Sequence, residues 1–247
     1  MTGGARRAGR GDLDPVELAA VDNARWCDAV CRAHGLRTSA TADLWICHDV
    51  PPRYLPCATT LRRGPGADAA LRAQLAGRGG APGGVKDGFL ELDLSDLGLR
   101  ELFRAEWLWR APPTSPAPTA LAWRRATTPA GLAAWEAAWE GSERPADVPV
   151  QFPPALLADA GIALLAGFRD AAIAVVAALS LTEPVVGVSN VAGSDPASDD
   201  GWADLPSVAA RWFPGRPLVG YERGEDLAKA RRHGFTPTGP LRVWVPV

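Results

Sequence analysis

Four prolines in nine residues, Pro112, Pro113, Pro116 and Pro118 of the stretch APPTSPAPT, bar any helix or strand interior near the middle of this chain. Each proline lacks an amide donor and fixes its own φ. Residues 111–119 therefore read as a stiff, extended linker. The linker divides 247 residues nearly in half, a length suited to one large domain or two of about 120 residues. The organisation expected is a disordered tail over 1–14, an N-terminal α/β half over 15–110, the linker over 111–119, and a C-terminal domain over 120–247.

Composition narrows the function classes. Hydrophobic residues make up 47% and charged residues 22%, the balance of a globular protein. A net charge of -2 offers no electrostatic case for nucleic acid. No apolar run approaches the roughly 20 residues that a membrane span needs. The opening MTGGARRAGRGDLDP has charge but no apolar segment, so it does not read as a secretory signal. Four cysteines in so long a chain do not suggest a disulfide scaffold. The expectation is a cytoplasmic protein with reduced thiols and a small-molecule substrate, without a nucleic-acid or membrane partner. No oligomeric state follows from the sequence.

The pattern of elements is α/β or α+β. In the first half, DPVELAAVDNARWCDAVCRAHG reads as a helix, with Pro15 in its first turn and Gly35 at its end. ADLWICHD and CATTLR read as strands, and GADAALRAQLAG as a short helix. GVKDGFLELDL reads as a strand, with Phe89, Glu91 and Asp93 on one face and Leu90, Leu92 and Leu94 on the other. GLRELFRAEWLWR fits a helix or a strand equally by period. In the second half, LAWRRAT is a strand and TPAGLAAWEAAWEG a helix capped by Thr128. PPALLAD is a short helix. GIALLAGFRD and AAIAVVAALSLTEP form strands joined by a turn near Arg169 and Asp170, followed by the strand VVGVSNV. WADLPSVAARWF is a helix interrupted at Pro206. RPLVGYE, GEDLAKARRHG and PLRVWVPV complete the order as strand, helix and strand. A mixed, mostly antiparallel sheet flanked by helices follows. LGLRELFRAEWLW and HGFTPTGPLRVWV echo one another, which raises the expectation of two pseudo-repeated halves.

From Thr119 onward this order resembles the GNAT (Gcn5-related N-acetyltransferase) fold. PLVGYERGEDLAKARRHGFTPTGPLRVW carries the resemblance best, with Gly234 and Phe235 ending the helix and Leu241 to Val245 forming the last strand. The first half resembles the non-catalytic half of two-domain members. The resemblance implies acyl transfer from acetyl-CoA or another acyl-CoA to a small amine. It implies that pantetheine pairs with the backbone at Val188, Ser189, Asn190 and Val191, and that a loop wraps the pyrophosphate at the next helix N-terminus. The loop here is AGSDPASDDGW, which lacks the family's Arg/Gln-x-x-Gly-x-Gly/Ala pattern. Asp195, Asp199 and Asp200 would stand where the pyrophosphate carries charge, and like charges within about 5 Å are unfavourable. Pro196 removes one donor. The position of the family's proton-donating Tyr falls on Ala230, leaving Tyr221 and Glu222 as acid or base candidates. The reading is thus a GNAT-like acyltransferase with a degenerate pyrophosphate loop. Its alternatives are a non-catalytic scaffold that binds a ligand or protein, or different chemistry on the same fold.

Three further groups stand out. Cys27, Cys31 and His34 lie on one helix face, with Cys47, His48 and Cys57 following. Buried core thiols explain them better than zinc does, and no metal site is expected. Lys86 and Asp87 fit an ion pair or turn better than a site. PPRYLP, with Arg53 and Tyr54, fits a packed loop or the wall of a cleft between the halves. Trp123, Trp135, Trp139 and Trp244 are expected in the core of the second half.

Overall fold

The computed structural model describes residues 14–76, 83–145 and 147–247. The N-terminal half begins with α1 (Pro15–Ala33), whose first turn is capped by the Asp14 side chain bonding the Val16 amide. It continues through β1 (Thr38–Ala40), β2 (Leu44–Cys47), β3 (Ala58–Thr60), α2 (Pro65–Ala76), β4 (Val85–Asp87) and β5 (Leu99–Arg110). The second half holds β6 (Ala122–Arg125), α3 (Pro129–Glu140), β7 (Ile162–Arg169), β8 (Ala172–Thr182) and β9 (Val185–Gly193). It ends with α4 (Ala197–Trp212), β10 (Leu218–Glu222), α5 (Gly224–Arg232) and β11 (Thr236–Pro246). Residues 111–119 between the halves enter no helix or strand. Thr128 caps α3 by accepting the Gly131 amide, and Gly141 ends it in the left-handed region. Among the described residues, no helix is long and apolar enough to cross a membrane.

All eleven strands form one sheet, in the order β1-β2-β3-β4-β11-β5-β10-β9-β8-β7-β6. Its centre is the antiparallel ladder of β5 and β11, which runs from Leu99 opposite Pro246 to Trp109 opposite Thr236. These are the two segments whose sequences echo one another. Around that centre the order is pseudo-symmetric. On one side β11 pairs with β4, which runs parallel to β3; on the other β5 pairs with β10, which runs parallel to β9. Each half therefore places its last strand inside the sheet of the other. Trp244 of β11 accordingly packs with Leu44, Ile46, Leu71 and Val85 in the core of the N-terminal half, not that of the second. Trp123 is buried in a core cluster built mainly by the second half, and Trp135 in one shared with α1 and β2 of the first.

Helices cover both faces. Trp202, Leu205 and Val208 of α4 join Ala230 of α5 and Phe235 over one face of the second half. Ala24, Trp26, Cys27 and Val30 of α1 meet Leu132 and Trp135 of α3 over the other. Asp22 of α1 anchors this packing. It lies buried against the backbone of Gly187, where a Cβ would come within 1.7 Å of its Oδ2, and it accepts a hydrogen bond from the Ser180 hydroxyl at 3.2 Å. Burial pushes the Asp22 carboxyl up to about 7.

Two expectations fail. Helix α4 continues unbroken through Pro206. A proline inside a helix forfeits one backbone bond; here Trp202, Leu205, Pro206, Val208 and Ala209 are all buried, and that packing holds the helix straight through it. The strand over 85–94 stops at Asp87. The buried Asp87 carboxylate accepts the amides of Phe89, Glu91 and Leu92, and Leu90 turns left-handed at φ 59. Alternation is reset by that turn: Phe89 is buried with Leu92 and Leu94, whereas Leu90 is only partly covered.

Asp87 also meets Arg242 of β11 at 3.4 Å, so one carboxylate ties the turn to the exchanged strand. Removing one partner of a buried ion pair strands the other and its bonded amides. Asp87→Ala is expected to lower the unfolding free energy by about 3 kcal/mol in urea denaturation, with Asp87→Asn losing less. A change below about 0.5 kcal/mol would contradict this role.

Candidate active site

Strands β9 and β10 touch only briefly. Their parallel ladder comprises Val186 opposite Leu218 and Gly187 opposite Val219. A Cβ on Gly220 would meet the Val188 carbonyl oxygen at 2.6 Å, so only glycine admits so close an approach there. Beyond this point β10 pairs on its other side alone, with Tyr221 opposite Trp107 and Glu222 opposite Glu106. The facing edge of β9 is left open. A bulge marks the opening: three residue steps on β9, from Ser189 to Ala192, oppose two on β8, and Asn190 adopts φ 54. Bulges of this kind bend a strand and break its pairing.

A cleft of about 200 Å³ fills the gap. Both halves build it. Asn23, Trp26 and Cys27 come from α1, Tyr54 to Pro56 from the loop after β2, and Lys86 from β4; Trp139, Gln151, Val188 to Asn190, Tyr221 and Glu222 come from the second half. The cleft thus brings together Val188, Ser189, Asn190, Tyr221 and Glu222. Val191 does not line it; its side chain packs with the cluster beneath α4. The Ser189 Oγ is buried without a partner. Larger, polar grooves lie along the outer side of α1, at Arg25, Asp28 and Arg32, away from the strand opening.

Successive strand residues face opposite sides of a sheet, and Tyr221 and Glu222 divide accordingly. The Tyr221 ring packs edge-on against Trp107, 5.6 Å away between centroids, on the side covered by α1. The Lys86 ammonium lies 4.4 Å from the centre of that ring and 3.4 Å from its hydroxyl. Glu222 turns toward α5. Burial, reinforced by the Asp226 carboxylate, pushes its carboxyl up to about 8. At neutral pH Glu222 is therefore largely protonated and sits near the midpoint of its titration, as a group that gives and takes protons requires. The sequence favours an ion pair or turn for Lys86 and a packed loop over a cleft wall for residues 51–56; Tyr54, Leu55, Pro56 and Lys86 all line the cleft. The signal available was Lys86 itself, one of only two lysines in the chain.

The loop leading into α4 differs from its expected electrostatics. Its aspartates are not free charges. Asp195 pairs with Lys229 at 2.8 Å, Asp199 with Arg232 at 2.7 Å and His233 at 3.1 Å, and Asp200 with Arg169. Two of the amides are also engaged: Ser198 and Asp200 donate to the carbonyls of Ser194 and Pro196, and Pro196 has no donor. The loop is thus pinned to α5 and to the β7–β8 hairpin by its paired aspartates. The open β9 edge, by contrast, suits an extended arm bearing amides. The thiols and imidazoles form no metal centre among the described residues. Cys27, Cys31, Cys47 and Cys57 are buried, His34 bonds the Gln151 carbonyl at 3.1 Å, and His48 bonds Ser39 at 2.8 Å.

Neither a protein-family model nor a curated protein matches this sequence. Solved structures do resemble the fold. A GCN5-related N-acetyltransferase from Kribbella flavida superposes with a TM-score of 0.58 at 16% identity, over 93% of this chain and 95% of its own. A protein named as a GNAT-family acetyltransferase, from Novosphingobium aromaticivorans, gives 0.56 at 14% identity, over 95% and 97%. A conserved protein of unknown function from Staphylococcus epidermidis gives 0.54 at 7% identity, over 84% and 92%. At these identities the likeness is one of fold.

The raised Glu222 carboxyl carries a sign for stability. Unfolded, it titrates at its ordinary 4.5; native, at about 8. Between these values the native state holds a proton that the unfolded chain has released, so Glu222 disfavours the fold increasingly as pH rises through that window. Glu222→Gln should therefore gain on the wild type in urea midpoint at pH 8.5 relative to pH 5. An equal difference at both pH values would mean that the carboxyl is not raised.

Proposed function

The chain has the fold of the GCN5-related N-acetyltransferases over nearly its whole length, and on that premise we propose that it transfers an acyl group to a small amine in the β9–β10 cleft. The observation that carries the reading is Glu222, a carboxyl raised to about 8 at the place where the strands part. An acyl-CoA would supply an activated thioester. Its amide arm would lie along the open backbone of Val188 to Asn190, where the strand enters the bulge. The loop before α4 would bind its phosphates weakly, because Asp195, Asp199 and Asp200 already occupy Lys229, Arg232 and Arg169. Glu222 in its ionised form takes a proton from the substrate ammonium, which frees the amine to attack the thioester carbonyl and fits activity that rises with pH toward about 8. Tyr221, held between Trp107 and Lys86, presents its hydroxyl to the same cleft and gives a proton to the leaving thiolate as the C–S bond breaks.

The engaged loop amides favour one other reading, a GNAT-like scaffold that binds a small ligand without an acyl donor. Calorimetry with acetyl-CoA and with free CoA separates the two. Binding, together with acetylation of an amine panel that rises with pH through a limb near 8, supports transfer. In Glu222→Gln the limb should vanish and kcat should drop by about 10²- to 10⁴-fold. Silence at millimolar acetyl-CoA would sink the transferase reading and leave the scaffold.

A further inference from the structure

Lys86 is an unusual residue to find in this place. It is 4% exposed, and lysines are almost never buried unless paired. Among the described residues no carboxylate lies within ion-pair distance of its ammonium. Of the acids that border the region, Asp22 is bonded to Ser180 and Gly187, Asp87 is paired with Arg242, and Glu222, which shares the cleft, makes no ion pair with Lys86. What Lys86 does touch is neutral. Its Nζ donates to the Asn23 Oδ1 at 2.5 Å and lies over the Tyr221 ring. An ammonium has three donors and one full charge to satisfy, and an amide oxygen and an aromatic face leave the charge unopposed. The group also lines the cleft directly. It reaches there because β4 and β10 are brought onto one sheet by the strand exchange, with β11 and β5 between them.

The remaining walls describe the rest of a ligand. Trp26, Tyr54 and Trp139 supply apolar surface, with Tyr54 edge-on to Trp139 at 5.5 Å. A cleft of about 200 Å³ lies below the usual range for drug-sized ligands. Resting on the acyl-transfer reading above, we infer that the acceptor is a free amino acid with an apolar side chain, whose carboxylate pairs with Lys86. The carboxylate neutralises the buried ammonium, the side chain lies against the aromatic wall, and the amine is left toward Glu222. Charge-assisted bonds in a site of this kind are the strong ones, so the carboxylate dominates the choice of acceptor.

The test compares leucine and phenylalanine with leucinamide and phenylalaninamide, titrated calorimetrically into the full chain without any acyl donor. The wild type should bind each acid at least about tenfold more tightly than its amide, a gap of about 1.4 kcal/mol. Lys86→Met should lose that preference. Without ligand, Lys86→Met should unfold at the same or a higher urea concentration than the wild type, because it removes the cost of burying an unopposed charge. Three results would overturn the inference: equal binding of acid and amide, no binding of either at millimolar concentration, or a Lys86→Met protein that is less stable, which would make the ammonium a structural tie between Asn23 and Tyr221. Transfer to simple amines without a preference for acids would remove this inference and leave the acyl-transfer reading standing. Lys86-dependent binding of acids with no acetyl-CoA binding would do the reverse.

Discussion

The antiparallel ladder of β5 and β11 is the constraint on which this molecule depends. Each strand belongs by sequence to one half and by pairing to the other. Without it there would be two short sheets with exposed edges, and an exposed edge is a standing liability. With it, one continuous sheet carries α1 and α3 on one face and α4 and α5 on the other. The cleft follows from the same arrangement. Its floor is where β9 and β10 part, and its far wall is a lysine three strands from β10, on the one sheet that the exchanged strands β11 and β5 make continuous.

Much of the fold was legible in the sequence because local chemistry and tertiary need agreed. Asp14 with Pro15, Thr128 with Pro129, and Gly141 set helix ends through caps whose partners lie within three residues. The alternating and apolar runs of β7, β8 and β9 announced strands because both faces of the central sheet are covered. Residues 99–110 could not be assigned by period, since β5 is largely exposed over residues 100–104 and covered around Trp107 and Leu108, so its burial does not follow the clean alternation that distinguishes strand from helix. Pro206 and Asp87 misled for opposite reasons. At Pro206 burial overrode a local rule; at Asp87 a side chain reaching three amides ended a strand that alternation alone would have continued.

The candidate site was legible by position and not by composition. Tyr221, Glu222 and the segment from Val188 to Asn190 meet in one cleft because the order of elements fixes where β9 and β10 part. Lys86 and Asn23 could not be placed from sequence, since each reaches the cleft through contacts between halves separated by up to 198 residues, as from Asn23 to Tyr221. The charges of Asp195, Asp199 and Asp200 were read correctly as residues and incorrectly as a field. Their partners Lys229, Arg232 and Arg169 lie 30 or so positions away and cancel them.

The exchange also sets an order of assembly. Strand β11 is synthesised long after its partner β5, with Arg100 pairing to Val245 across 145 residues. Contacts so distant in sequence close slowly, because the intervening loop must be ordered before they form. During synthesis β5 therefore waits with that edge bare until β11 has been made. The β5–β11 ladder, and with it the sheet that frames the cleft, closes only after that strand arrives.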